Sequence, residues 1–128
     1  MAPGSQTIRR LGPGDEDVVW RLAEHEPQPG LLADPHVVFL VAFDGDEPVG
    51  FAFGYELPRR HGNATEFFVY ELGVDEAYRR RGIAKRLMQE LLAGRESAFV
   101  LTEPDNDAAN ATYRSLGGRR SDAVMWEW

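Results

Sequence analysis

Glu71-Leu72-Gly73-Val74-Asp75-Glu76-Ala77-Tyr78-Arg79-Arg80-Arg81-Gly82-Ile83-Ala84 is the stretch that decides the fold. It begins inside a run, Phe67 to Val74, that is apolar on both faces except at Glu71, the pattern of a strand inside a sheet. After a short polar loop the period changes. Between Arg79 and Gly94, Ile83, Ala84, Leu87, Met88, Leu91 and Leu92 form one stripe at helical spacing, with Lys85, Arg86, Gln89 and Glu90 outside it. Gly94 suits the end of that helix. A strand therefore runs through a basic turn straight into an amphipathic helix.

Upstream, the apolar runs Val37 to Phe43 and Val49 to Leu57 flank the turn residues Asp44 to Pro48, which predicts a hairpin. Thr7 to Leu11 reads as a short first strand, broken by Gly12-Pro13-Gly14. Asp15, Glu16 and Asp17 then suit a helix start, where carboxylates oppose the positive dipole end. Val18, Val19, Leu22 and Ala23 carry that helix to about Glu24. Pro27 to Pro35 is expected to be a loop with one turn around Leu31-Leu32, and Pro58 to Ala64 a second loop. Downstream, the reading gives a strand at Ser97 to Thr102, a helix at Asn106 to Leu116 closed by Gly117-Gly118, and a last strand at Val124 to Trp128, whose Trp126 and Trp128 are expected to pack in the core, the alternatives being a lining of the acceptor pocket or contact with a partner subunit. The order β-α-β-β-β-α-β-α-β predicts an α/β fold: one domain over residues 1–128 with a mixed sheet flanked by helices.

The 128 residues suit one ordinary domain, and 43% hydrophobic with 27% charged residues is a globular composition. A formal net charge of −7 argues against nucleic acid or anionic lipid as partner, since both want a basic footprint. There is no cysteine, which excludes disulfides, thiolate metal sites and a cysteine nucleophile. No signal-peptide or membrane-length apolar run is present, so a cytoplasmic protein is expected. His25, His36 and His61 lack metal-ligand spacing, and no metal site is expected. Gly12-Pro13-Gly14 is no dinucleotide fingerprint, and no Gly-x-Ser-x-Gly elbow occurs.

Five cations, Arg79, Arg80, Arg81, Lys85 and Arg86, crowd eight positions of this acidic chain. A helix start offers unpaired N–H groups and a positive dipole end, and small residues at Gly82 and Ala84 let phosphates approach the backbone. A polyphosphate ligand accounts for that cluster. The alternative is a solvated basic turn.

Arg79-x-x-Gly82-x-Ala84 resembles the Gln/Arg-x-x-Gly-x-Gly/Ala pyrophosphate loop of the GNAT N-acetyltransferase superfamily. Asn106-x-x-Ala109-x-x-x-Tyr113-x-x-x-Gly117 resembles the same family's final-helix signature. The strand Phe67 to Val74, with the segment from Phe43-Asp44 to Leu57-Pro58-Arg59, looks like the aminoglycoside 3-N-acetyltransferases, which carry an acidic residue at the place of Glu71. Two departures stand out: Gly118 occupies a position where the family usually has Phe, and the region after the first helix, often a wall of the acceptor site, is shortened to a Pro-rich loop.

The resemblance implies an acetyl-CoA-dependent N-acetyltransferase acting on a primary amine of a small cationic molecule, an aminoglycoside among them, with antibiotic resistance as the associated role. The alternatives are acetylation of a protein N-terminus or lysine, and a non-catalytic acyl-CoA sensor. It further implies that Leu72, Gly73 and Val74 hold the pantetheine arm where two parallel strands splay, with Gly73 easing a bulge. Arg79, Arg80, Arg81, Gly82, Ile83 and Ala84 would hold the diphosphate, with Asn106 near the cofactor. Tyr113 would be the acid for the departing thiolate. The alternative for Tyr113 is an ordinary core tyrosine.

From the residues themselves, Asn106 suits a helix cap. Glu71, a carboxylate in an apolar strand, is expected to be buried, with its pKa pushed upward into a base's range, and to act as the base or amine-orienting group. A structural ion pair with an arginine is its alternative. Glu103 and Asp105, with Glu56, Asp107 and Glu127, stand near strand ends where they would attract a cationic amine. The sequence leaves room for a homodimer.

Overall fold

The computed structural model describes residues 5–128. The elements are β1 (Thr7–Arg10), α1 (Glu16–Ala23), a 3₁₀ turn (Leu31–Ala33), β2 (Val37–Asp44), β3 (Glu47–Pro58), β4 (Thr65–Val74), a second 3₁₀ turn (Glu76–Tyr78), α2 (Ile83–Leu92), β5 (Ala98–Val100) and α3 (Asp107–Ser115). The five strands form one sheet in sequence order, antiparallel from β1 to β4 and parallel between β4 and β5. The β4–α2–β5 crossover is thus the one place where a helix is needed to join neighbouring strands.

Each sheet face has its own core. On one, Val38, Leu40, Ala42, Val49, Ala52, Phe67 and Val69 meet Ile83, Leu87, Met88 and Leu91 of α2, with Tyr113 of α3 and Leu116 just past its end partly buried beside them. On the other, Val37, Phe39, Val41, Phe43 and Phe53 meet Val18 and Val19 of α1. The expected α2 stripe is the buried stripe, with Ala84 and Leu92 at its margin. The helix itself begins at Ile83, later than Arg79, because Arg80 (φ 64°) and Gly82 (φ 77°) both take left-handed backbone.

Phe67, the largest fully buried side chain, lies against Gly54. A Cβ on Gly54 would stand 2.3 Å from the Phe68 carbonyl oxygen and 2.6 Å from the Phe67 ring. Only glycine lets β3 and β4 approach this closely here.

The expected last strand is absent. Residues 119–128 form no regular structure, and Trp126 and Trp128 are exposed rather than packed in the core. Alternating apolar residues make a strand only where another strand pairs with them, and residues 119–128 pair with none of the five strands.

Candidate active site

The parallel pair is short. Phe67, Phe68 and Val69 of β4 align with Ala98, Phe99 and Val100 of β5, after which the strands part. From Tyr70 to Val74, β4 keeps β3 on one edge and has no strand on the other. The gap is a cleft of about 300 Å³, lined by Glu71 and Leu72 from β4, Leu101 and Thr102 after β5, and Asn106 and Tyr113 around α3. It holds both residues expected to do the chemistry.

A β-bulge sets which way β4's side chains point. Phe53 pairs with Glu71 but its neighbour Gly54 pairs with Val69, so Tyr70 is the extra residue. Phe67 and Val69 face the α2 core, as do Leu72 and Val74 farther along. Strict alternation cannot give both sets, so Tyr70 and Glu71 turn to the opposite face together. The bulge thus lies at Tyr70, not at Gly73. Gly73 serves Phe51 instead, whose Cε1 would be 2.8 Å from an added Cβ. Because of the bulge Glu71 is exposed, and the expectation of a buried carboxylate fails. Its alternative role also falls to another residue. Arg95 of the segment after α2 pairs with Glu56 at 2.5 Å and lies 3.8 Å over the Phe67 ring, taking Glu56 out of the acceptor set.

Two aromatic residues escaped the sequence reading. Tyr70, 54% exposed, makes ring contacts with Phe53, Tyr55 and Phe68 on the face that also carries Glu71. Burial and the nearby Tyr70, Glu71 and Asp34 raise the Tyr55 pKa. The signal was the alternation of Phe51, Phe53 and Tyr55 in β3, which puts three rings on one face.

Tyr113 is half-buried, and burial raises its pKa, which keeps the phenol protonated. Its place is fixed by both ends of α3. Asn106 Oδ1 accepts from the Ala109 N–H at 3.1 Å, the expected cap. At the other end, Gly118 N–H donates to the Tyr113 carbonyl and Gly117 N–H to that of Arg114, both at 3.0 Å, a Schellman closure. A Cβ on Gly118, which stands where a Phe is usual in the resembled family, would lie 2.9 Å from the Tyr113 carbonyl oxygen in this closure. Glu103 and Asp105 are exposed in the turn before α3 and do not line the cleft.

At the other end of the exposed β4 edge, α2 opens on Gly82. The first N–H bonded within the helix is that of Arg86, to the Gly82 carbonyl at 3.0 Å, so the N–H groups of Ile83, Ala84 and Lys85 have no helical acceptor. Nothing lies within 4 Å of an added Cβ at Gly82, which leaves room for a ligand against the backbone. The five cations divide. Arg79 donates to the Val74 carbonyl, and Arg86 to the Gln6 carbonyl at 2.6 Å. Arg81 lies 5.0 Å over Tyr78, whose hydroxyl donates to Asp44 and whose pKa that bond raises. Arg80, Arg81 and Lys85 are exposed at the helix start. Free amides, an open cradle and exposed cations fit a diphosphate. Among the described residues no three His, Asp or Glu side chains gather as metal ligands.

The model of the acetyltransferase (GNAT) family matches residues 6–117, nearly the whole chain. The chain belongs to the GNAT family. It is 43% identical over 91 residues to the N-alpha-acetyltransferase RimI of Mycobacterium tuberculosis, a match covering 70% of this chain and 56% of that protein. This GNAT domain spans about half the length, or less, of the first curated relatives it matches. An aminoglycoside acetyltransferase from an uncultured soil metagenomic sample superposes with a TM-score of 0.86 at 23% identity, covering 96% of this chain and 95% of its own; at that identity it shows the fold alone. A second aminoglycoside acetyltransferase of soil-metagenomic origin gives 0.82 at 27% identity, covering 97% of both chains.

Proposed function

We propose that this GNAT domain transfers the acetyl group of acetyl-CoA to a primary amine of a small cationic molecule, an aminoglycoside being the leading class. One observation carries the reading. The unpaired edge of β4 has the free amides of α2 at one end and, at the other, a cleft that holds a half-buried phenol and an exposed carboxylate. Acetyl-CoA supplies an activated thioester and, on transfer, a thiolate leaving group.

The chain's own residues then divide the work. Ile83, Ala84 and Lys85 N–H groups, with Arg80 and Arg81, bind the diphosphate. The β4 edge at Leu72, Gly73 and Val74 receives the pantetheine arm as a strand would be received. Glu71 draws in the ammonium and accepts its proton, directly or through water. Tyr113 donates a proton to the departing thiolate. A reference phenol near 10 and thiol near 8.5 put that transfer uphill by about 1.5 units, or roughly 2 kcal/mol. Burial raises the Tyr113 pKa, which adds to that cost and keeps the phenol protonated until the thiolate departs.

Tyr55 and Tyr70 beside Glu71 give the acceptor side aromatic faces next to a carboxylate, a pairing that suits a cation. A second reading, acetylation of a peptide N-terminus, is favoured by the 43% identity to RimI and by the short Pro-rich loop from Pro27 to Pro35, where the resemblance implies a wall of the acceptor side. Thiol release from acetyl-CoA, measured with aminoglycosides, small diamines and peptides, tests both. Release with aminoglycosides or diamines supports the proposal, release with peptides alone supports the second reading, and no release despite cofactor binding overturns both in favour of a sensor.

A further inference from the structure

Across residues 75–82, the segment between β4 and α2, Tyr78 is the one residue that is not exposed. Its ring packs at the margin of the α2 core, and its hydroxyl donates to Asp44 Oδ2 at 2.5 Å. Asp44 ends β2, where the chain turns into β3. The Asp75 N–H donates to the Val49 carbonyl of β3 at 2.8 Å. The segment therefore hangs from the β2–β3 hairpin at two points, one on each strand. Between Tyr78 and the buried Ile83 the backbone turns left-handed at Arg80 (φ 64°) and again at Gly82 (φ 77°). A non-glycine residue keeps such a φ only where its surroundings fix it, and Tyr78 and Ile83 are the fixed points on either side.

Arg81 lies 5.0 Å over the Tyr78 ring. A cation–π contact holds a guanidinium yet leaves its N–H donors unspent. Arg79 and Arg86 differ, because each gives a donor to a main-chain carbonyl. Arg81 is thus held at the helix start with its donors open to a ligand. We propose that Tyr78 and Asp44 are positioning residues for coenzyme A: the hydroxyl–carboxylate bond fixes the ring, and the ring aims the Arg81 guanidinium at the diphosphate. This rests on the reading that the α2 start binds the diphosphate. It gives the β2–β3 turn, which does not line the acceptor cleft, a part in cofactor affinity.

Calorimetry with coenzyme A alone, with no amine and no turnover, reads the effect. Tyr78→Leu removes both ring and hydroxyl and is expected to weaken binding roughly tenfold, with Arg81→Met weakening it by about as much, the scale of one charge-assisted hydrogen bond. Because Tyr78 acts through Arg81, the double variant is expected to bind within about twofold of Arg81→Met. A segment merely loosened by loss of the ring would lower affinity further in the double variant, and that outcome overturns the proposal. If Tyr78→Leu does not fold, Asp44→Ala, which keeps the ring but releases it, is expected to weaken binding roughly two- to fivefold, and by no more when combined with Arg81→Met. Unchanged affinity in the single variant overturns the proposal alone, since the unaltered protein still binds. No heat of binding from the folded, unaltered protein overturns it together with the diphosphate reading.

Discussion

Replacing Gly54 with Ala tests the packing that aims Tyr70 and Glu71 into the cleft. The new methyl would sit 2.3 Å from the Phe68 carbonyl and 2.6 Å and 2.8 Å from two Phe67 ring atoms. The first obstacle is backbone within a paired strand and the second is the largest fully buried side chain, so neither can swing aside as a surface side chain would. Overpacking of this kind costs about 1–3 kcal/mol, and two rigid obstacles place it at about 3. At about 4 °C per kcal/mol for a chain of this size, thermal unfolding followed by circular dichroism should fall by roughly 12 °C. Gly12→Ala, where nothing lies within 4 Å of the added atom, is the control and should move the midpoint little. In the same Gly54→Ala protein, KM for the amine should rise while cofactor affinity holds, because the bulge and not the α2 start is disturbed. A midpoint within about 2 °C of the unaltered protein would refute the close β3–β4 approach and the bulge geometry built on it.

Tyr113→Phe should lower kcat by roughly 10²-fold with cofactor affinity little changed, read by thiol release and calorimetry. Its raised folded pKa also has a stability consequence: stability present below the unfolded value of about 10 is lost as pH rises through the folded value, so above pH 10 the unaltered protein should lose unfolding free energy faster than Tyr113→Phe. Glu71→Gln should lower kcat/KM for a cationic amine by roughly tenfold or more while leaving the melting temperature nearly unchanged, since the side chain is exposed; full activity at neutral pH would place the base elsewhere. Gly82→Ala should cost about 1 kcal/mol for its left-handed φ and weaken coenzyme A binding roughly tenfold in calorimetry by filling the cradle.

What could be read without coordinates was whatever depends on local periodicity. The α2 stripe, the β2–β3 hairpin, the Asn106 cap and the Gly117-Gly118 closure each rest on residues within a few positions of one another, and each is present. The Val124–Trp128 strand was misplaced because its pattern is right but no strand pairs with it. A strand's side-chain pattern is local, but its hydrogen-bonding partner is not. The five cations were grouped for the same reason. Their proximity in sequence says nothing of the Val74 and Gln6 carbonyls that engage Arg79 and Arg86.

Glu71 shows the limit most sharply. Counted by twos from Phe67 and Val69, it belongs to the α2 core, where an unpaired carboxylate would be costly. Counted from Leu72 and Val74, it belongs to the opposite face. The sequence supports both counts, and only a bulge reconciles them. Tyr70 absorbs the extra position, and Gly54 across from it leaves room for the kinked strand. Without that residue, either Glu71 would be buried or the partly buried Leu72 and Val74 would lose their core contacts, each costing less than the about 1.5–3 kcal/mol of a fully buried side chain. The bulge therefore answers two demands at once: it keeps the apolar half of β4 in the core beyond the splay, and it delivers a carboxylate and an aromatic ring side by side to the acceptor face.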